Sequence, residues 1–204
     1  MKVRNRLVVA LPAVLLVACT PSGGIPAPEL PATSASPTQA PDLPALRVQY
    51  ELPACPTTDL DEPAVEGGLP QTELPCIGEG DPVNLAGLPR EPMVVNIWAQ
   101  WCGPCREESP FLREAFQEAN DVRFVGINYQ DPQEDWAIEF AGLVGWRYPH
   151  VVDVEKTLQG PLQVPGLPVT LFVDAEGVIA GRHVGPVTST EQLQDLMVEH
   201  LGTS

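Results

Sequence analysis

The sequence predicts an α/β domain with a central mixed β-sheet flanked by helices. Three observations carry that reading. Met93–Ala99 and Val122–Asn128 are apolar runs rich in β-branched residues, the pattern of strands buried on both faces, and an amphipathic stretch of helical period separates them. Val169–Val173 and Val178–Val184 flank Asp174-Ala175-Glu176-Gly177, which reads as an antiparallel hairpin. The chain then closes on a helix opened by the capping-box pattern Ser189-x-x-Gln192, with Leu193, Leu196, Met197 and Leu201 on one face. A parallel βαβ unit followed by a hairpin and a terminal helix makes a mixed sheet that helices must cover.

Residues 1–18 carry Lys2, Arg4 and Arg6 ahead of an apolar run from Leu7 to Ala18, a signal-peptide pattern too short to span a bilayer. The run ends in Leu16-Val17-Ala18-Cys19, which resembles a bacterial lipobox; that resemblance implies cleavage before Cys19 and lipidation of Cys19, anchoring the chain on the outer face of a membrane. An ordinary signal peptide beside an unrelated cysteine is the alternative. Residues 20–46 hold seven prolines among Ala, Ser, Thr and Gly, and read as a solvated linker without secondary structure. Residues 47–204 have the size of one domain. The whole chain has 11 basic and 27 acidic residues; without the three basic ones in 1–18 the balance is 8 against 27, a net charge of −19. Such a surface argues against nucleic acid as a partner and against docking of the domain itself on anionic lipid.

Within the domain, Cys76–Leu88 reads as a short hairpin turned by Gly78, Gly80 and Asp81. Arg106–Ala119 reads as a helix burying Phe111, Leu112, Ala115, Phe116 and Ala119, with Pro110 kinking it. Pro132–Leu143 reads as a second helix facing inward through Trp136, Phe140 and Leu143. Tyr148–Val152 reads as a short strand and Thr157–Val164 as a short helix interrupted by Gly-Pro. Trp98, Trp136 and Trp146 read as core residues, whereas Trp101 flanks the functional surface described next. His150 and His183 are isolated and receive no role.

Trp101-Cys102-Gly103-Pro104-Cys105 sits between the first buried strand and the helix that follows it. Cys102 thereby meets the unpaired N–H groups and positive dipole end of a helix, which favour thiolate over thiol and lower its pKa. Cys105, one turn on, is placed to resolve a mixed disulfide formed at Cys102. A C-x-x-C is also half a zinc site, but no second C-x-x-C and no H-x3–5-H accompanies it, so no metal or other cofactor is expected. Of the remaining cysteines, Cys55 and Cys76 are predicted to form a structural disulfide in an oxidising compartment, closing a proline- and acid-rich loop. The competing reading is a second redox pair.

The run Val94-Val95-Asn96-Ile97-Trp98-Ala99-Gln100-Trp101-Cys102-Gly103-Pro104-Cys105-Arg106-Glu107-Glu108-Ser109-Pro110 resembles the thioredoxin superfamily and, within it, the TlpA/ResA-like membrane-anchored thiol–disulfide oxidoreductases. The resemblance extends from about Leu74 to Leu201. It implies a thioredoxin-like fold with an N-terminal β-hairpin and a helix–strand insertion near 131–153. It implies that Leu167-Pro168 is a cis peptide packed beside the cysteines, and that Trp101, Gly103, Pro104, Leu167 and Pro168 meet the substrate. Glu108, in Cys-x-x-Cys-x-x-Glu, matches a proton-transfer carboxylate of ResA-like proteins, and Asn96 replaces the buried Asp of thioredoxin. The implied partners are exported proteins such as apocytochrome c and a CcdA- or DsbD-like membrane thiol donor. Electron flow in the opposite direction, donating disulfides to secreted proteins, uses the same residues. A Sco-type copper chaperone on the same fold is a further alternative; it calls for C-x-x-x-C, and His183 is its candidate third ligand.

Overall fold

The computed structural model describes residues 40–203, so the predicted signal peptide, Cys19 and most of the predicted linker lie outside the described residues. The first element, α1 (Leu43–Gln49), is capped by Asp42, whose carboxylate accepts from the Ala45 N–H at 3.0 Å. It begins inside the stretch 20–46 that was read as unstructured, and the compact unit starts at Ala40 instead of 47. Pro44 does not prevent this, because a first-turn proline gives up an N–H that has no helical partner. Leu43, Leu46 and Tyr50 pack on the core, against the side of α3 described below.

Strands β1 (Glu73–Leu74) and β2 (Val83–Asn84) form the N-terminal antiparallel hairpin. Its first arm precedes Cys76, so the hairpin predicted over 76–88 is displaced towards the N-terminus. Cys76 bridges instead to the main sheet, where Ile77 N–H donates to His150 O and Val152 N–H donates to Pro75 O, both at 2.9 Å. Then follow β3 (Met93–Trp98), α2 (Gly103–Glu118), β4 (Arg123–Tyr129), α3 (Glu134–Leu143), β5 (His150–Asp153), β6 (Val169–Val173), β7 (Ile179–Val184) and α4 (Thr190–Leu201). The main sheet runs β5-β4-β3-β6-β7, with β3, β4 and β5 parallel and β6 and β7 antiparallel to their neighbours.

All six residues of β3 are buried, and they alternate between two cores. Val94 and Trp98 face Leu112 and Ala115 of α2, Ile138 of α3 and Leu193 and Met197 of α4. Met93, Val95 and Ile97 face Leu74, Val83 and Leu85 of the hairpin region and Leu158, Leu162 and Val164. Residues 157–164 are a series of turns and not the predicted helix: Pro161 has no N–H to continue one. The Asp153 carboxylate instead gathers Thr157 N–H, Thr157 Oγ1 and Leu158 N–H at 2.8–3.0 Å.

Two further expectations are corrected. α3 starts at Glu134, past Pro132, and it buries Ala137, Ile138, Phe140 and Ala141. Trp136 and Leu143 are 52% and 71% exposed, so Trp136 is not a core residue. The inward stripe follows the small residues because α1 lies close: the Tyr50 side chain sits against Gly142. Trp98 and Trp146 are fully buried, as read.

Candidate active site

The end of β3 delivers the chain into a turn, and Cys102 caps the N-terminus of α2, three residues before the predicted helix start at Arg106 would place the cap. Its Sγ lies 3.2 Å from the Cys105 amide nitrogen. Cys102 and Cys105 are disulfide-bonded and both are buried, while Trp101, Gly103 and Pro104 around them are exposed. Pro110 removes one N–H from α2, and the Ser109 hydroxyl takes its place by donating to the Arg106 carbonyl at 2.9 Å.

The loop after β4 holds this turn. Asp131, fully buried, accepts from the Gln100 N–H at 2.8 Å and from Asn128 Nδ2 at 3.1 Å. Trp101 Nε1 donates to the Gln130 carbonyl at 3.0 Å. These supports were missed in the sequence: Asp131-Pro132 after a strand reads as a helix start, and only the β3–β4 pairing brings it to Gln100.

Glu108 lies on the same helical face as Cys105, two strand-facing turns into α2, and has no exposed surface. Its two oxygens accept from Asn96 Nδ2 and from the Val187 N–H, each at 3.0 Å. Burial pushes the carboxyl up to about 7, against the opposing pull of those two hydrogen bonds. Asn96 is thus the donor that orients Glu108. Val187 was not foreseen, because a backbone N–H arriving from 79 residues away leaves no mark in the side-chain pattern.

Leu167-Pro168 is cis, Leu167 packs on the core that contains both cysteines, and the Pro168 carbonyl accepts from the Gly185 N–H at 3.0 Å. Cys55 and Cys76 are also disulfide-bonded, at the edge of the sheet beside β5. His183 Nε2 lies 3.4 Å from the Pro186 carbonyl, and among the described residues no three His, Cys, Asp or Glu side chains group as metal ligands. His150 is buried among Trp98, Trp146 and Tyr148, and that desolvation lowers its pKa to about 3.

The redoxin family model matches residues 64–197, close to two thirds of the chain and the whole of the main sheet. The chain belongs to the redoxin family. Similar relatives include the thiol:disulfide interchange protein DsbE of Pseudomonas fluorescens, 32% identical over 65% of this chain and 73% of the relative. DsbE of Vibrio cholerae is 34% identical over 65% and 71%. A secreted disulfide oxidoreductase of Mycobacterium tuberculosis shares the fold, with a TM-score of 0.56 at 21% identity over 63% of this chain and 95% of that one. This redoxin is a TlpA/ResA-like thiol–disulfide oxidoreductase on a thioredoxin-like fold.

Proposed function

We propose that this redoxin is exported, tethered to a bacterial membrane through lipidated Cys19 and the linker after it, and reduces disulfides in exported proteins such as apocytochrome c. The Cys102 thiolate attacks one sulfur of a partner disulfide and displaces a thiolate. Cys105 then gives its proton to Glu108 and attacks Cys102 Sγ; this releases the second partner sulfur and leaves Cys102–Cys105 oxidised. Trp101, Gly103, Pro104, Leu167 and cis-Pro168 receive the partner, whose extended backbone adds beside Leu167. A CcdA- or DsbD-like membrane dithiol returns the two electrons by the reverse exchange.

The observation that carries the exchange chemistry is Glu108, and the reductive direction follows the thioredoxin-like Gly103-Pro104 between the two cysteines. Resolution of the mixed disulfide needs Cys105 deprotonated, and a buried carboxyl that titrates at about 7 is matched to that proton. The similarity to thiol:disulfide interchange proteins supports exchange chemistry at this pair. The test is the reduction potential of Cys102/Cys105, by equilibration with glutathione or dithiothreitol. A value near thioredoxin's, about −270 mV, is expected; one near DsbA's, about −120 mV, overturns it in favour of a disulfide donor.

A further inference from the structure

A cleft of about 200 Å³ opens beside the redox turn, lined by Gln100 and Arg106 on one side and by Trp136, Glu139, Phe140 and Leu143 of α3 on the other. Arg106 is fixed as its floor. The guanidinium donates to the Gln100 carbonyl at 3.1 Å and lies 4.9 Å from the centre of the Phe140 ring. The α3 side of the rim carries two exposed apolar side chains that the fold does not require, with Glu139 between them. Trp136 and Leu143 are one face of α3, seven residues apart, and leave 52% and 71% of their surface in water. Trp136 and Trp101 are the two aromatic side chains most exposed among the described residues, and Trp136 is the one that lines this cleft. Rigid aromatic surface beside an oriented cation is the composition of a binding hot spot.

We infer that this cleft is a docking subsite for an apolar side chain of the polypeptide being reduced, and that it selects substrates by sequence near their reacting cysteine. The inference rests on the oxidoreductase reading above. The occupant follows from continuity with the chemistry. Gln100 is two residues before Cys102, so the edge of the cleft lies within about 7 Å of the nucleophile along the backbone. A substrate strand covers that distance in about two residues, which places the captured side chain roughly two to four positions from the substrate cysteine. The cleft accommodates one large side chain, Phe or Leu, against Trp136, Phe140 and Leu143. Arg106, already held in place, faces the carbonyls of the same segment. A small disulfide has nothing to place there.

The test uses the reduced full-length chain and synthetic peptides whose single cysteine is joined to glutathione. Phe or Ser stands two, three or four residues away on either side. The second-order rate constant is measured for each, and for glutathione disulfide. The Phe peptide is expected to react about tenfold faster than its Ser counterpart at one or more positions. Trp136→Ala and Leu143→Ser are each expected to erase that ratio while the glutathione disulfide rate persists; Val198→Ser, an exposed change on α4, is expected to leave the ratio intact. Equal rates for all peptides, or a preference that survives both α3 variants, overturn the subsite. So does a Trp136→Ala effect confined to concentration-dependent self-association, which would make the face a contact between copies. If the wild type fails to reduce even glutathione disulfide, the oxidoreductase reading fails first and the subsite falls with it.

Discussion

Two buried titratable side chains pull the stability of this redoxin in opposite directions. Glu108 has its carboxyl raised from 4.5 to about 7, chiefly by burial. A raised acid contributes fully below its unfolded value and loses that contribution as pH climbs through the folded one, so the oxidised protein weakens between pH 4.5 and 7. The loss is on the order of 3 kcal/mol. His150 is lowered from 6.5 to about 3 by burial, so its contribution stands above pH 6.5 and fades as pH falls towards 3. Between pH 4.5 and 6.5 the two slopes oppose. Around Glu108 stand the Asn96 amide, the Val187 N–H and Tyr148, whose phenol is held protonated by burial and by the Glu108 charge. Glu108→Gln removes one slope and leaves the other. Urea unfolding of both proteins is expected to show the variant gaining on the wild type from pH 4 to pH 8 by roughly 3 kcal/mol, whatever constant offset the amide introduces. The same change is expected to flatten the pH dependence of Cys105 reactivity in the reduced protein. A stability difference that is equal at both pH values, together with an unchanged titration, would remove Glu108 from the proton path.

At the scale of elements, the contact between α1 and α3 yields a prediction whose sign is not obvious. Gly142 lies inside α3, where Ala is ordinarily favoured by about 1 kcal/mol. A Cβ there would meet Tyr50 Cβ at 2.4 Å, and a Cβ is too close to the backbone to swing aside. Overpacking of this kind costs about 1–3 kcal/mol, so Gly142→Ala is expected to lower the melting temperature, with amide exchange rising first in α1. A stabilised variant would show that α1 is not clamped. The same contact explains what the sequence hid. Long runs with an unambiguous period were legible: β3, β4, α2, α4 and the β6–β7 hairpin stand where the apolar patterns put them. The redox turn was legible too, because Cys102, Cys105 and Glu108 are spaced by the helix itself. α1 was hidden by its prolines, since composition says nothing about a partner helix 90 residues downstream. The orientation of α3 was misjudged because size was weighed above fit. Trp136 and Leu143 share helical spacing with buried Phe140, but the close approach of Tyr50 turns Gly142 and the neighbouring alanines inward and leaves those two outside. Asp131 and Val187 escaped because each reaches the site through tertiary structure alone.

Across the whole molecule the two disulfides divide the work of folding and chemistry. Cys102–Cys105 spans three residues at a helix N-terminus, flanked by exposed Trp101, Gly103 and Pro104. Cys55–Cys76 spans 21 residues and ties the long segment before β1 to the edge of the sheet, where Pro75 and Ile77 bond to Val152 and His150. That segment supplies Leu69 to the core under the hairpin and Thr58, Asp59 and Glu62 to hold buried Asn84. Its order therefore depends on the closed loop. For a loop of this length the chain-entropy model gives about 3 kcal/mol. The double variant Cys55→Ser, Cys76→Ser is accordingly expected to unfold at lower urea concentration by that amount. The Cys102/Cys105 potential is expected to stay put, because no group in the redox turn bonds to either serine position. A shift of about 30 mV would correspond to about 1.4 kcal/mol of coupling between the pairs. A shift that large would show that the Cys55–Cys76 bridge tunes the redox pair, and a fully stable variant would show that the bridge does not hold the N-terminal segment to the sheet.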